Sequence, residues 1–493
     1  MLRFIDETMR DGPQSLWATR MNTRTMLEAA TFIDRTGVTL ATTASGATFE
    51  TAVRFVNDDP WERLRLVRDR LPNTERDVLI RSRNLFGWSR YSDEVVELLF
   101  GCLQRNGTNS VKIFDGLNDI STIAAHCRIG KKLGLRTTGL LSFSLSPIHT
   151  DEHYAEKARQ YADLNVDAVL LCDASGIMKP ERARTLVSAV RAALPAHVAL
   201  EFYAHASMGL AQGSYREAMN AGVSAVTTAA VPLANGDSLP ATVDIARIAE
   251  ELGIPHGLDL DRVRELDDYM EWATFREGHK PGKIHIHDPI AYEKFIGHQI
   301  PGGMISNFRN QLREAGLTHR IDEVLEEAGR VREDLGFPVM ITPFSQFVGV
   351  QATFNVIQGE RYKTVPNEVR LFALGYYGHP GGPVNPNALD RILQGKSNDR
   401  MDPSAVYEEK VVDKFRVEHG PFASDEELLL ALFYGKPAVQ ALNNAKSTFA
   451  DGVTVHKPLR VLVAELARAT TLAAVHIEKG SGAQRLRLNM TYA

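Results

Sequence analysis

Eight times between residue 3 and about residue 253, a short apolar run is followed by an amphipathic helical pattern, and this rhythm constrains the fold most. The apolar runs are RFIDET, TLATTAS, DVLIRS, NSVKIFD, RTTGLLSFS, DAVLLCD, VALEFYAH and SAVTTAAV. Between them, stretches such as TRTMLEAATFIDRTG, SDEVVELLFGCLQRNG and PERARTLVSAVRAAL space their apolar residues by three and four, the period of a helix with one buried face. Strands that are apolar on both sides need cover on both sides, which a parallel sheet obtains from its crossover helices. Eight βα units of roughly 30 residues close naturally into a (β/α)8 TIM barrel. A doubly wound open sheet is the alternative. No glycine-rich turn follows the first strand, which counts against a dinucleotide-binding version of it.

The rhythm ends near residue 255, which divides the chain into four parts. Residues 1–255 read as the barrel and 256–302, with HKPGKIHIHDP and GHQIPGG, as a connecting segment. Residues 303–440 read as a mainly helical domain, which the family resemblance described below implies completes the active site, and 441–493 as a tail with a small hairpin turning at KGSG. At 493 residues and 44% hydrophobic, the chain can bury a large core, with room for more than one domain. A net charge of −5 provides no basic footprint for nucleic acid. No run approaches a membrane span, and the N-terminus lacks the zones of a signal peptide. Cys102, Cys127 and Cys172 are too scattered for a disulfide framework. The expectation is a cytoplasmic protein with no membrane or nucleic-acid partner.

In a TIM barrel, chemistry collects where strands end. The first run ends in DETMRD, the third in Arg81, the fourth in Asp115 and the sixth in Cys172 and Asp173. Alternation sends Glu201, Tyr203 and His205 of the seventh run to one side. With Cys172 they are expected to converge beside Asp11. His279, His285 and His287 fit an exposed loop better than a metal site.

Several stretches resemble one family. DETMRDGPQSLWATRM, SGATFETAVRFVNDDPWERLRLVRDRLPNT, IRSRNLFGW, KIFDGLND, HQIPGGMISNFRNQL and ITPFSQFVG are similar to the carboxyltransferase component of pyruvate carboxylase. The same module serves as the oxaloacetate decarboxylase α subunit and as a transcarboxylase subunit. The likeness covers roughly residues 3–395. It implies a biotin-dependent enzyme that moves a carboxyl group between carboxybiotin on a separate carrier and a small 2-oxo acid such as pyruvate or oxaloacetate. It also implies a biotin carrier or biotin carboxylase subunit as partner, a homo-oligomeric assembly, and a zinc or manganese ion that polarises the ketone. By position, Asp11 and His205 match metal ligands, and Arg10 and Gln14 match substrate-holding neighbours. Arg81 matches the arginine that grips the carboxylate, Thr342 the proton-shuttling threonine, and Ser345 a serine near the biotin ring. The only Met-Lys dipeptide, the biotinylation signature of the family's carrier domain, is Met178–Lys179 at a barrel helix start, so no covalent biotin is expected here.

The departures fall on the metal site. Cys172 stands where the family has a carbamylated lysine, and Tyr203 where it has a ligating histidine. Glu50 and Trp88 replace an Asp and a Tyr beside the biotin pocket; Gln346 and Val350 replace a Lys and an Asp. A carbamylated lysine reaches several ångströms further than a thiol. Cys172 therefore has three readings: an apolar pocket lining, a zinc ligand with Glu201 or water in a shifted site, or a reactive thiol. Tyr203 donates a hydrogen bond into the pocket or simply packs. Besides the carboxyltransferase reading, two others stand: a divergent C–C lyase or decarboxylase without the family's metal, and a non-catalytic subunit with a decayed site.

Overall fold

The computed structural model describes residues 1–300, 309, 312–314, 316–396, 406–444, 474–479 and 486–491. Eight parallel strands close in sequential order into a barrel, the last pairing back onto the first. They are β1 (Arg3–Asp6), β2 (Leu40–Ser45), β3 (Glu75–Arg81), β4 (Ser110–Phe114), β5 (Arg136–Ser142), β6 (Ala168–Asp173), β7 (Ala199–Ala204) and β8 (Ala225–Thr228). Each coincides with one of the eight apolar runs, so the expected TIM barrel is the fold observed. The alternation is visible in burial. Val78 and Ile80, Val111 and Ile113, and Val169 and Leu171 are sealed in the main hydrophobic core. The residues between them, Leu79, Lys112 and Leu170, line the barrel interior.

Barrel strands tilt, so one hydrogen-bond row visits different heights as it goes round. The row that begins at Arg81, the last residue of β3, continues through Phe114, Leu140, Leu170, Glu201 and Ala225. It ends at Arg3, the first residue of β1. A single row thus descends from the mouth of the barrel to its floor.

The stretch 256–302, read from sequence as a connector, holds two helices, Leu260–Arg276 and Pro289–His298. The first packs on the barrel helix Thr23–Ile33, where the Tyr269 hydroxyl donates to the Thr25 carbonyl at 3.2 Å. Within 303–440 the described residues are helical, as expected, but they divide between two cores. Ile321–Asp334, Phe344–Gln358, Asn367–Ala373 and Pro386–Leu393 build their own, around Val324, Val331, Phe344 and Phe372. The later helix Asp425–Tyr434 instead joins the barrel core through Leu428, Leu429, Phe433 and Tyr434. Polar contacts fix that return. The Trp61 indole donates to the Glu426 carbonyl at 3.2 Å, and the Tyr434 hydroxyl donates to the Phe86 carbonyl at 3.0 Å.

Met1–Ala445 form one compact unit and Lys446–Ala493 a second. In the second, β9 (Ala474–Lys479) and β10 (Leu486–Thr491) pair antiparallel; the turn expected between them lies outside the described residues. Among the described residues no helix is long and apolar enough to cross a membrane.

Candidate active site

A cavity of about 360 Å³ opens at the C-terminal ends of the strands, where barrel enzymes carry their chemistry. Arg10, Asp11, Gln14, Glu50, Arg81, Trp88, Cys172, Tyr203, His205 and Thr342 all line it. Ser345 does not. The helix Phe344–Gln358 begins just before it and buries the side chain completely, while Gln346 turns to a neighbouring hollow.

The loop after β1 supplies the most charge. Arg10 donates from Nε to Glu7 at 2.6 Å and from a terminal nitrogen to Asp11 at 3.1 Å. Asp11 opens the short helix Asp11–Leu16, which carries Gln14 and Ser15 to the same wall. Ser45 ends β2 and caps the next helix, Gly46–Thr51, exchanging hydrogen bonds with Thr48. Its hydroxyl also donates to Gln14 Oε1 at 3.2 Å, leaving the Gln14 amide group as the end that can serve a ligand. The same helix sets Glu50 at the rim. There the Trp88 indole donates to both Glu50 oxygens at 3.1 Å. The Arg81 guanidinium stacks 4.8 Å from the Trp88 ring and donates to the Gly87 carbonyl at 2.7 Å. Burial pulls the Arg81 pKa down, with Glu50 only partly offsetting it. Arg81 Nε is buried with no hydrogen-bond partner, and no carboxylate among the described residues pairs with this cation. An orphaned cation at a cavity mouth is a site for an anion.

Opposite stands a cluster built on β7. His205 Nε2 lies 3.1 Å from Asp11 Oδ2 and 2.7 Å from the Tyr203 hydroxyl. Ser238 also donates to Asp11, at 3.3 Å. Burial would raise the Asp11 pKa, but His205 and Arg10 hold it well below the carboxylate range. Burial would lower His205; the adjoining Asp11 carboxylate overcomes this and raises it above its ordinary value. Gly176, in the DASG break after β6, has φ +69° and passes so close that an added Cβ would come within 2.7 Å of the His205 carbonyl. This close approach, open only to glycine, brings the β6 loop against His205.

Cys172 lies in the register row Ser142, Cys172, Tyr203 and faces the cavity. Burial, reinforced by Asp173, pushes its thiol far up, so it stays protonated. The expected convergence therefore holds for Cys172, Tyr203, His205 and Asp11. It fails for Glu201. The descending row carries Glu201 to the barrel floor, where it pairs with Arg136 at 2.5 Å and Arg3 at 3.8 Å. Alternation sets which face a side chain takes, and strand tilt sets its height.

Two charged lining residues, Lys112 and Glu7, were not singled out in the sequence. Lys112 on β4 is buried and holds Glu7 and Asp77 at 2.9 Å each. Burial would raise Glu7, but Arg10 and Lys112 together keep it below its ordinary value. The signal was present in NSVKIFD, where a lone lysine occupies an inward position of an apolar strand.

These groups do not fit the four-donor metal centre that the resemblance implies. Glu201 is committed at the floor, paired with Arg136 and Arg3. The Nε2 of His205 already faces Asp11 and the Tyr203 hydroxyl. Among the described residues, no group of three His, Cys, Asp or Glu side chains is arranged to hold a metal ion. The three expected loop histidines serve structure instead. His285 and His287 bond the carbonyls of Ser207 and Met208, at 2.9 and 3.1 Å. His279 stacks on Trp17 at 4.4 Å.

A charged cavity at the mouth of a closed βα barrel, roofed by a helical domain, defines a barrel enzyme. Comparison with known proteins narrows the class. The family description "Conserved carboxylase domain" matches residues 296–483, and an HMGL-like domain matches residues 120–270. The chain is 35% identical over 448 residues to a pyruvate carboxylase subunit from Methanocaldococcus jannaschii, covering 90% of this chain and 78% of that protein. It is 36% identical over 370 residues to the methylmalonyl-CoA carboxyltransferase 5S subunit of Propionibacterium freudenreichii, covering 75% and 72%. With the 2-oxoglutarate carboxylase large subunit of Hydrogenobacter thermophilus it shares 35% identity over 437 residues, covering 87% and 66%. The carboxyl transferase domain of Rhizobium etli pyruvate carboxylase, solved with pyruvate and biocytin, superposes with a TM-score of 0.80 at 25% identity, covering 89% and 76%. The chain belongs to the carboxyltransferase family of pyruvate carboxylase and transcarboxylase.

Proposed function

We propose that the protein moves a carboxyl group between carboxybiotin, carried on a separate partner subunit, and a small 2-oxo acid. The observation that carries this reading is Arg81, a cation with an unpartnered Nε in the same cavity as Arg10, Gln14 and Thr342. The acid's carboxylate would take the Arg81 guanidinium in fork geometry. Its keto oxygen, which gains negative charge as C3 loses a proton, would face the donors of Arg10, Gln14 and Tyr203. Donors already fixed by neighbours cost no reorganisation when that charge develops. Arg10 is fixed in this way by Glu7 and Asp11, and Gln14 by Ser45.

Biotin, when bound, supplies the carboxyl group from its ring nitrogen. A hollow of about 430 Å³ adjoins the cavity and suits a ureido ring, lined by Trp88, Gln346, Phe347, Val350 and Tyr377. Thr342 lines the cavity from the roof, with its side chain exposed at the opening. Its Oγ1 would pass the C3 proton toward the carrier side.

A second reading, a C–C lyase or decarboxylase that dispenses with biotin, is favoured by the closed Asp11–His205–Tyr203 cluster. One experiment separates the two. A biotin carrier charged with isotopically labelled carboxyl group, incubated with the protein and pyruvate, should pass label into oxaloacetate. Label that stays on the carrier while pyruvate binds normally would overturn the carboxyltransferase reading and leave the lyase.

A further inference from the structure

The two halves of the cavity differ in chemistry. The wall from β7 through β8 and β1 to β2 is polar and charged. Below Arg81, the wall from β3 to β6 is mainly apolar, presenting Leu79, Phe114, Leu140, Leu170 and the Cys172 thiol, with Lys112 and Ser142 as its polar members. Four of these belong to one descending track. Phe114, Leu140 and Leu170 follow Arg81 directly in its hydrogen-bond row, and Leu79 lies two residues below Arg81 on the same strand. These four and Cys172 pack in one apolar cluster. Leu79 and Phe114 remain only half-buried, because what they face is the cavity.

Resting on the carboxyltransferase reading above, we infer that the acceptor is a monocarboxylic 2-oxo acid whose aliphatic chain is longer than the methyl group of pyruvate. Arg81 would hold the carboxylate at the head of the track, and the alkyl chain would lie along the leucines. Each methylene moved out of water onto this wall improves binding about fourfold. The acid must keep a hydrogen on C3. That proton leaves as the new C–C bond forms, and it takes the place of the carboxyl group on the donor nitrogen, so atoms and electrons balance.

The same wall rejects a second carboxylate. Below Arg81, the cation among the described residues of this wall is Lys112, already held by Glu7 and Asp77 at 2.9 Å each. Cys172 is buried on this wall, and an S–H group is a weak donor. A dicarboxylic acid such as 2-oxoglutarate would leave an uncompensated anion against leucine.

The test is calorimetric titration of the purified protein with pyruvate, 2-oxobutyrate, 2-oxovalerate and 2-oxoglutarate. Affinity should rise about fourfold from pyruvate to 2-oxobutyrate and about fourfold again to 2-oxovalerate, with 2-oxoglutarate weakest. Leu140→Asn should erase the gain for the longer acids while leaving pyruvate binding within about twofold. The milder Cys172→Ser should reduce the gain in the same sense, and it covers the case in which the leucine variant fails to fold. Equal affinities, or tightest binding of pyruvate or 2-oxoglutarate, would overturn the inference and leave the carboxyltransferase reading intact. Binding of none of the four acids would instead overturn that reading, and the inference with it.

Discussion

The floor and the mouth of the barrel use the same residue types to opposite ends. At the floor, Lys112 sits between Glu7 and Asp77, and Glu201 between Arg136 and Arg3. These charges answer one another, even where Lys112 and Glu7 form the base of the cavity. At the mouth, Arg81 has a carbonyl, an aromatic face and an unpartnered Nε. Asp11 and His205 answer each other, but they do so on a cavity wall. Paired charge in the interior specifies and holds a structure, whereas incompletely satisfied charge beside a cavity is available to a ligand.

The comparison breaks first at Thr342. Thr342→Ala removes a hydroxyl at the mouth and should lower carboxyl transfer by about 10²–10⁴, with acid binding and melting temperature unchanged. Full transfer activity in that variant would place the proton relay elsewhere. The floor should respond the other way. Lys112→Met strands the buried Asp77 carboxylate and leaves Glu7 to Arg10, and urea denaturation should register a loss of about 3–5 kcal/mol. Adding Asp77→Asn to that variant should restore part of it; a stability loss under 1 kcal/mol (roughly the value of an exposed pair) would show that the floor is wetter than its burial implies.

Arg81→Ala should weaken binding of a small carboxylate by about 1.5–3 kcal/mol, read by calorimetry, without destabilising the fold. A variant that binds as well as the parent would remove Arg81 from the site. The smallest effect concerns an acid with neither kind of support. Asp6 is buried, accepts hydrogen bonds from Thr8 at 3.0 and 2.9 Å, and has no cation in ion-pair reach among the described residues. Burial raises its pKa to about 7 from 3.8. The folded state therefore holds this proton more tightly than the unfolded chain does. The associated stability is complete below about pH 4 and is lost as pH rises to about 7. Asp6→Asn should flatten that decline. The variant should exceed the parent by about 1 kcal/mol at pH 8, a gain reduced by one lost acceptor, and it should show no advantage at pH 4. An unchanged pH profile would mean that Asp6 is charged and solvated.

The barrel was legible because each strand is buried on both faces and so stands out as a short apolar run between helical patterns. Candidate residues such as Asp11, Arg81 and Thr342 were singled out by motif position, and the structure brings all three to one cavity. Heights within the barrel were not legible. Glu201 and Tyr203 share a face and a strand, yet one neutralises the floor and the other lines the mouth. Nothing in a period of two records the tilt of the strands. Ser345 failed for a related reason, since one residue of helical phase separates it from Gln346, which does face a hollow. Lys112 was hidden because it looks like an ordinary charge until its strand is known to be closed on itself.

The hydrogen bond from Tyr434 to the Phe86 carbonyl spans 348 residues of chain, and it has a consequence for biosynthesis. The turn that it braces also supplies the Gly87 carbonyl to Arg81. A ribosome adding roughly 5–20 residues per second needs about 20–70 seconds to reach Tyr434 after Phe86 has been made. For that interval the anion grip of the nascent barrel waits for its brace. Premature termination anywhere in the helical region should therefore yield a chain whose barrel strands are all present but whose Arg81 turn has never been set.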